Sequence, residues 1–166
     1  MDQIILRYET ATGLEKMTRV RTDESHINLE VRDIKTVDLL PLIWCTNLEG
    51  LSLSYNSLEQ VDLSPLNRCP KLQGLWLSHN QLQSIDFSPL SKCSQLQEIC
   101  LQHNDIKKMD VSGLFNCHSL EVLRFDDGVT LTADVFLKSI GNWPDLLVEY
   151  YDKILWRSNV DWGKPE

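Results

Sequence analysis

No stretch of this chain approaches the ~18 consecutive apolar residues that a membrane-spanning helix needs. Positive charge is also in deficit. Sixteen Lys and Arg stand against 24 Asp and Glu, for a net charge of −8. A field of that sign draws in neither nucleic acid nor an anionic bilayer, so neither is expected as the main partner. The first residues, Met1-Asp2-Gln3-Ile4-Ile5-Leu6-Arg7, lack the basic start and long apolar core of a signal peptide, so a cytoplasmic location is expected. Disorder, collagen and coiled coil are disfavoured, because apolar residues make up 42% and charged residues 24% of the 166, ordinary globular usage for one domain. Five cysteines are present, an odd number that leaves disulfide framework, metal site and free thiols all to be weighed.

What the chain has is an internal period. Asn56, Asn80 and Asn104 recur every 24 residues, as do Leu51, Leu75, Ile99 and Leu123. The segments LSLSYNSLEQVDLSPLNRCPKL, LWLSHNQLQSIDFSPLSKCSQL and ICLQHNDIKKMDVSGLFNCHSL keep their apolar columns in register. A worn earlier copy, INLEVRDIKTVDLLPLIWCTNL, has Arg32 where the others have Asn. A further copy starts at Leu123-Arg124-Phe125 and is broken by Asp127-Gly128.

The pattern L-x-x-L-x-L-x-x-N-x-L resembles the leucine-rich repeat family. Leu48, Leu51, Leu53, Asn56 and Leu58 fit it, as do Leu72, Leu75, Leu77, Asn80, Leu82 and Leu96, Ile99, Leu101, Asn104, Ile106. The physics agrees. L-x-L is period-two alternation with one face buried. A single strand per copy cannot bury a core alone, but stacked copies build a parallel sheet. Asn after the strand suits a tight turn, and its amide satisfies backbone groups that the turn would orphan. Ser64-Pro65-Leu66 and Ser88-Pro89-Leu90 read as short helical turns, with Ser as N-cap and Pro as first helical residue. The expected fold is an α/β leucine-rich repeat solenoid, a short right-handed curved stack. About five parallel strands line its concave face and short helical turns its convex face.

A solenoid needs covered ends. Three regions are expected: an N-terminal cap over 1–26, repeats over 27–127, and a C-terminal helical cap and tail over 128–166. In the first, Asp2 to Thr12 is expected as a helix stopped by Gly13. Met17–Arg21 and His26–Val31 then form a hairpin around Thr22–Ser25. In the last, a helix is expected over Ala133–Ile140 and another from Pro144 to about Arg157. Leu147, Tyr150, Tyr151, Ile154 and Leu155 would share one face of the second, and Trp162 could anchor the tail. Ile43 and Trp44 fall where other copies are polar, so either the N-terminal helix or a partner should cover them.

Columns organise the candidate chemistry. Cys45, Cys69, Cys93 and Cys117 share one and read as reduced core thiols, since a mid-column cysteine has two equal neighbours and a straight ladder cannot surround a metal ion. Asp38, Asp62, Asp86 and Asp110 read as acceptors for backbone N–H at the turns, with a calcium ladder as the alternative. On the concave face, Trp76 is expected in water as a binding anchor, with Tyr55, His79 and His103 beside it and small Gly50, Gly74, Ser52, Ser54 and Ser78 making room. Glu98, Arg124 and Asp126 rim the patch, and Cys100 is expected as an exposed thiol.

The expected function is that of a non-enzymatic interaction module or scaffold, a monomer that binds a partner protein on its concave face, which the family resemblance also implies. Neither cofactor nor small-molecule substrate is expected. One alternative is a metal-binding protein or hydrolytic enzyme using His79, His103 and Asp127. Another is an accessory structural subunit of a larger assembly.

Overall fold

The computed structural model describes residues 2–158; Met1 and residues 159–166, including Trp162, lie outside the described residues. The chain opens with strand β1 (Gln3–Thr10), which turns back antiparallel into β2 (Glu15–Arg21). The expected N-terminal helix is therefore a strand. Ile4, Leu6, Tyr8 and Thr10 are buried while their neighbours are exposed, a period of two that a helix would scatter around its circumference. Ile4, Ile5 and Tyr8 at helical spacing were too short a run to decide between the two periods. Gly13, expected as a helix stop, sits at φ +85 in the hairpin turn, where Leu14 N donates to Thr10 Oγ1 at 3.1 Å. The hairpin thus joins β1 to β2, not Met17–Arg21 to His26–Val31.

Strand β3 (His26–Asn28) begins the repeats, and β4 (Ile34–Asp38) lies antiparallel on β1, giving an N-terminal sheet of order β2-β1-β4. The inward side chains Ile4, Leu6, Tyr8 and Val20 join the repeat core. β1 also lies against the first convex turn (Leu40–Trp44), whose Ile43 is half-buried, but Trp44 remains 67% exposed, so no N-terminal helix folds back over the pair.

Then follow β5 (Gly50–Ser52), β6 (Gly74–Trp76), β7 (Glu98–Cys100), β8 (Lys108–Asp110) and β9 (Val122–Arg124). A five-stranded parallel sheet of order β3-β5-β6-β7-β9 lines one face. Its register is the 24-residue period itself: Ile27, Leu51, Leu75, Ile99 and Leu123 pair in sequence, as do Asn28, Ser52, Trp76, Cys100 and Arg124. The first row is buried throughout and forms the spine of the core.

The polar columns satisfy the backbone that the turns expose. Asn80 Oδ1 accepts Leu58 N at 3.0 Å, and its Nδ2 donates to Leu53 O and Leu77 O at 3.0 and 3.2 Å. Asn56 and Asn104 make equivalent bridges. Without them, carbonyls inside the stack would lack partners. Each convex turn is a short 3-10 helix, as in Ser64–Arg68 and Ser88–Lys92. Ser is not its N-cap, because Leu63 and Phe87 occupy that position with no side-chain cap. The capping is done by the aspartates: Asp38, Asp62, Asp86 and Asp110 each accept the backbone N–H two residues on, at 2.9 Å. Their hydrogen bonds from Ser64 hold the Asp62 carboxyl below its ordinary pKa. Cys45, Cys69, Cys93 and Cys117 are free and fully buried. Cys69 Sγ donates to Leu42 O, Cys93 Sγ to Leu66 O and Cys117 Sγ to Leu90 O, a thiol ladder at 3.5–3.6 Å.

Past the repeats, β10 (Thr130–Asp134) pairs in parallel with β8 and with the last strand, β11 (Ile154–Arg157). The helix expected from Ala133 is instead the end of β10 followed by a 3-10 turn, Val135–Ser139. Of the helix expected from Pro144, only one turn forms, α1 (Asp145–Glu149). Leu147 and Ile154 are buried but Tyr151 and Leu155 are exposed, so the five residues do not share a face. Parallel pairing of β10 with β8 on one side and with β11 on the other outweighs the local helical pattern, because it extends the sheet from the edge that the last repeat leaves open.

Candidate protein-binding surface

Each repeat turns sharply after its strand. The turning residues Val31, Tyr55, His79 and His103 have φ of 54, 57, 55 and 60. An L-residue with a side chain pays roughly 1–2 kcal/mol to sit in this region, and glycine would sit there without that cost. In three of the four the cost is accompanied by stacking. The Tyr55 and His79 rings lie 4.3 Å apart at 10°, and those of His79 and His103 lie 4.2 Å apart at 24°. The strand spacing of ~4.8 Å sets this separation. Tyr55 and His103 are exposed and His79 is half-buried, so the three rings form one continuous ridge at the edge of the concave sheet.

The ridge ends at Asp126. One repeat earlier, His79 N donates to Gln102 O at 2.9 Å and Asn80 N to His103 O at 3.1 Å. The chain breaks away near Gly128, so no equivalent carbonyls serve His103 and Asn104. The Asp126 carboxylate takes their place, accepting His103 N at 2.8 Å and Asn104 N at 3.0 Å. Burial works against its charge, yet these two amides, with the imidazoles of His103 and His79, hold the carboxyl below its ordinary pKa.

Trp76 is not the exposed anchor that alternation implied. It is half-buried, its indole lying along the glycine column. A Cβ at Gly74 would collide with Cη2 and Cζ2 of this ring, and one at Gly50 would lie 3.1 Å from Cζ3. Gly50 and Gly74 do make room, but for a neighbour within the chain. Ser52, Ser54 and Ser78 are buried too, with Ser52 Oγ donating to Glu30 Oε1 at 2.5 Å. Trp76 is thus floor more than anchor.

Cys100 is likewise not exposed. Its side chain is buried and its Sγ donates to Glu98 Oε1 at 3.1 Å. Burial, then the Glu98 bond and charge, push the thiol up to about 12 against a smaller lowering by Arg124. Such a thiol stays protonated and is a poor nucleophile. Glu98 is half-buried beside it, whereas Arg124 is exposed and makes no ion pair among the described residues.

No group of three or more His, Cys, Asp or Glu among the described residues is placed to hold a metal ion. His79 and His103 do come together, but face to face. It is Asp126, through backbone amides, and not Asp127 that closes their column. The four Asp carboxylates of the convex turns are likewise engaged with backbone N–H groups. Sequence reasoning placed Asp126 at the rim of the patch but missed its part in closing the repeat ladder, although an acid two residues before the broken Asn position was a visible signal. It also missed the glycine slot, which Gly50 and Gly74 beside Trp76 in the same face could have suggested.

A family model described as leucine rich repeat matches residues 46–106. Among solved structures, the chain is similar to the leucine-rich repeat ectodomain of the receptor kinase SOBIR1 from Arabidopsis thaliana, at 19% identity over 85% of this chain and 76% of that one, with a TM-score of 0.50. It also matches internalin C2 from Listeria monocytogenes at 24% identity over 68% of this chain, TM-score 0.45. Internalin InlF of the same organism matches at 20% identity over 66%, TM-score 0.42. The chain spans 47% and 42% of the lengths of those two internalin structures. No curated protein sequence matches it. Leucine-rich repeats are in general non-enzymatic protein–protein interaction modules. The family match identifies residues 46–106 as leucine-rich repeats, and the 24-residue register of the sheet carries the same parallel stacking from β3 to β9.

Proposed function

We propose that the chain is a non-enzymatic module that holds a partner protein on its concave side, with the Tyr55–His79–His103 ridge as the main contact and Arg124 at its rim. The observation that carries this reading is the ridge itself: three stacked rings, each at positive φ. Glycine would relieve the backbone at every one of these positions. Keeping a ring there sets backbone strain against ring stacking and yields a rigid, largely exposed surface. Stacked rings have little rotamer freedom left to lose, so a partner meets a surface already ordered. Trp76, Glu98 and Cys100 support the sheet beneath this contact more than they touch the partner. On this reading 1–26 and 128–166 are caps on a repeat unit of 27–127. Five strands span only ~20–25 Å, so the partner element is small, such as a loop, helix or extended peptide.

The test is a pull-down from native lysate with wild type, Tyr55→Ala, His103→Ala and, as a convex-face control, Trp44→Ala. The expected result is a set of captured proteins shared by wild type and Trp44→Ala and depleted in both ridge variants. Identical captures from all four would refute the ridge as the contact.

A further inference from the structure

At the C-terminal end of the solenoid, away from the ridge residues, a second group of aromatic side chains packs together beneath a cation. Trp143 and Tyr151 stack with centroids 5.3 Å apart, and Trp156 lies 5.2 Å from Trp143 and 5.7 Å from Tyr151. Phe115, buried, meets both indoles edge-on at 5.2 and 6.2 Å and forms the floor. Trp143 is held in orientation by its own Nε1, which donates to Leu137 O at 2.8 Å. Over the outer faces sits the ammonium of Lys138, 5.6 Å from the Tyr151 ring and 5.2 Å from the Trp156 ring. Asp145 lines an adjoining cleft formed with Trp143 and Tyr151 but without Trp156 or Lys138, and it makes no ion pair among the described residues. Rings present negative faces to a cation.

We infer that the Trp143–Tyr151–Trp156 cluster is a site for a quaternary ammonium group, with Lys138 standing in for the ligand when none is bound. The lysine shows that the outer faces of Tyr151 and Trp156 accept a cation. A primary ammonium is strongly hydrated and gives up hydrogen bonds to water when it moves onto ring faces. A quaternary ammonium has no N–H to leave unpaired, and its methyl groups add apolar surface against the indoles. It therefore displaces Lys138, which lies on an exposed 3-10 turn (Val135–Ser139) and is free to swing into water. Two sources carry this chemistry, a small choline-like molecule and a trimethylated lysine on a protein.

The experiment uses the full chain and follows indole N–H signals by NMR during titration with tetramethylammonium chloride, against ammonium chloride at equal ionic strength. Saturable shifts of the Trp143 and Trp156 signals, with those of Trp44 and Trp76 unmoved, are expected only with tetramethylammonium. Lys138→Gln removes the internal competitor and should tighten binding by about threefold or more. Tyr151→Leu removes one wall and should weaken it by at least as much. If Tyr151→Leu fails to fold, the Lys138→Gln comparison decides alone. Equal shifts with ammonium, no shift with either salt, or unchanged affinity in Lys138→Gln would each overturn the assignment. Choline and N-acetyl-trimethyllysine amide, titrated in parallel, distinguish the two sources by which binds more tightly.

Discussion

Asp126 closes the repeat ladder, and its removal has a calculable cost. Wild type gives the His103 and Asn104 amides a carboxylate at 2.8 and 3.0 Å. A hydrogen bond to a charged group contributes ~1.5–3 kcal/mol, and partial exposure of the site brings each toward the lower end. Asp126→Ala should therefore lose about 2 kcal/mol, because water reaches the bared amides only in part. Asp126→Asn keeps one acceptor and turns an N–H toward the other amide, so it should lose about 1 kcal/mol or somewhat more. The sign of the pH dependence follows from the lowered folded-state pKa. A carboxyl that ionises more readily when folded stabilises the fold above its unfolded pKa of ~3.9, and that contribution disappears as pH falls through the folded value. Urea unfolding midpoints measured from pH 7 down to about 2.5 should show a gap between wild type and Asp126→Asn that persists to about pH 5 and then narrows. A gap that stays level over the whole range would show that the charge of Asp126 is not what the two amides use. Absence of any gap at pH 7 would show that the ladder needs no terminator.

Three further outcomes follow from the same geometry. Gly74→Ala should destabilise by ~1–3 kcal/mol through collision with the Trp76 ring. In a double-mutant cycle with Trp76→Ala most of that loss should vanish; additive losses would place the clash elsewhere. His79→Gly relieves a strained backbone but loses two stacking contacts worth ~0.5–1.5 kcal/mol each, so its unfolding free energy should stay within about 1 kcal/mol of wild type while partner capture falls. The comparison is Leu77→Ala in the core, expected to lose ~2–5 kcal/mol, and a His79→Gly loss of that size would make the ring structural. Iodoacetamide at pH 8 should leave the five cysteines unmodified in the folded protein, since Cys69, Cys93 and Cys100 are pushed up to about 12 and all five are buried. Rapid native labelling of Cys100 would restore it as an exposed thiol, and liquid-chromatography mass spectrometry of the peptides reads this directly.

The repeats were legible because they impose the same demand at every copy. A column such as Leu51, Leu75, Ile99 and Leu123 states its burial several times over, and its register in the sheet is the spacing of the letters. The ends make each demand once. Ile4, Leu6 and Tyr8 suit a strand, Ile4, Ile5 and Tyr8 suit a helix, and only the pairing partners β2 and β4 decide between them. The same holds for Ala133–Ile140, where the partner of Ala133 and Asp134 is β11, and for the cover over Trp44, which a helix could have supplied and a strand does not.

The candidate surface was legible in its columns but not in its exposure. Alternation assigns a direction to each Cβ, and for Trp76 and Cys100 that direction was right. It says nothing of where a long or thiol-bearing side chain then lies. Trp76 reaches along its own face to Gly74 and Gly50, and Cys100 turns to Glu98. Tyr55, His79 and His103 cannot fold back in this way, because the positive φ at each position aims the Cβ outward and the neighbouring rings occupy the space on either side. Backbone strain and stacking together therefore separate the side chains that a partner can touch from those that only support them.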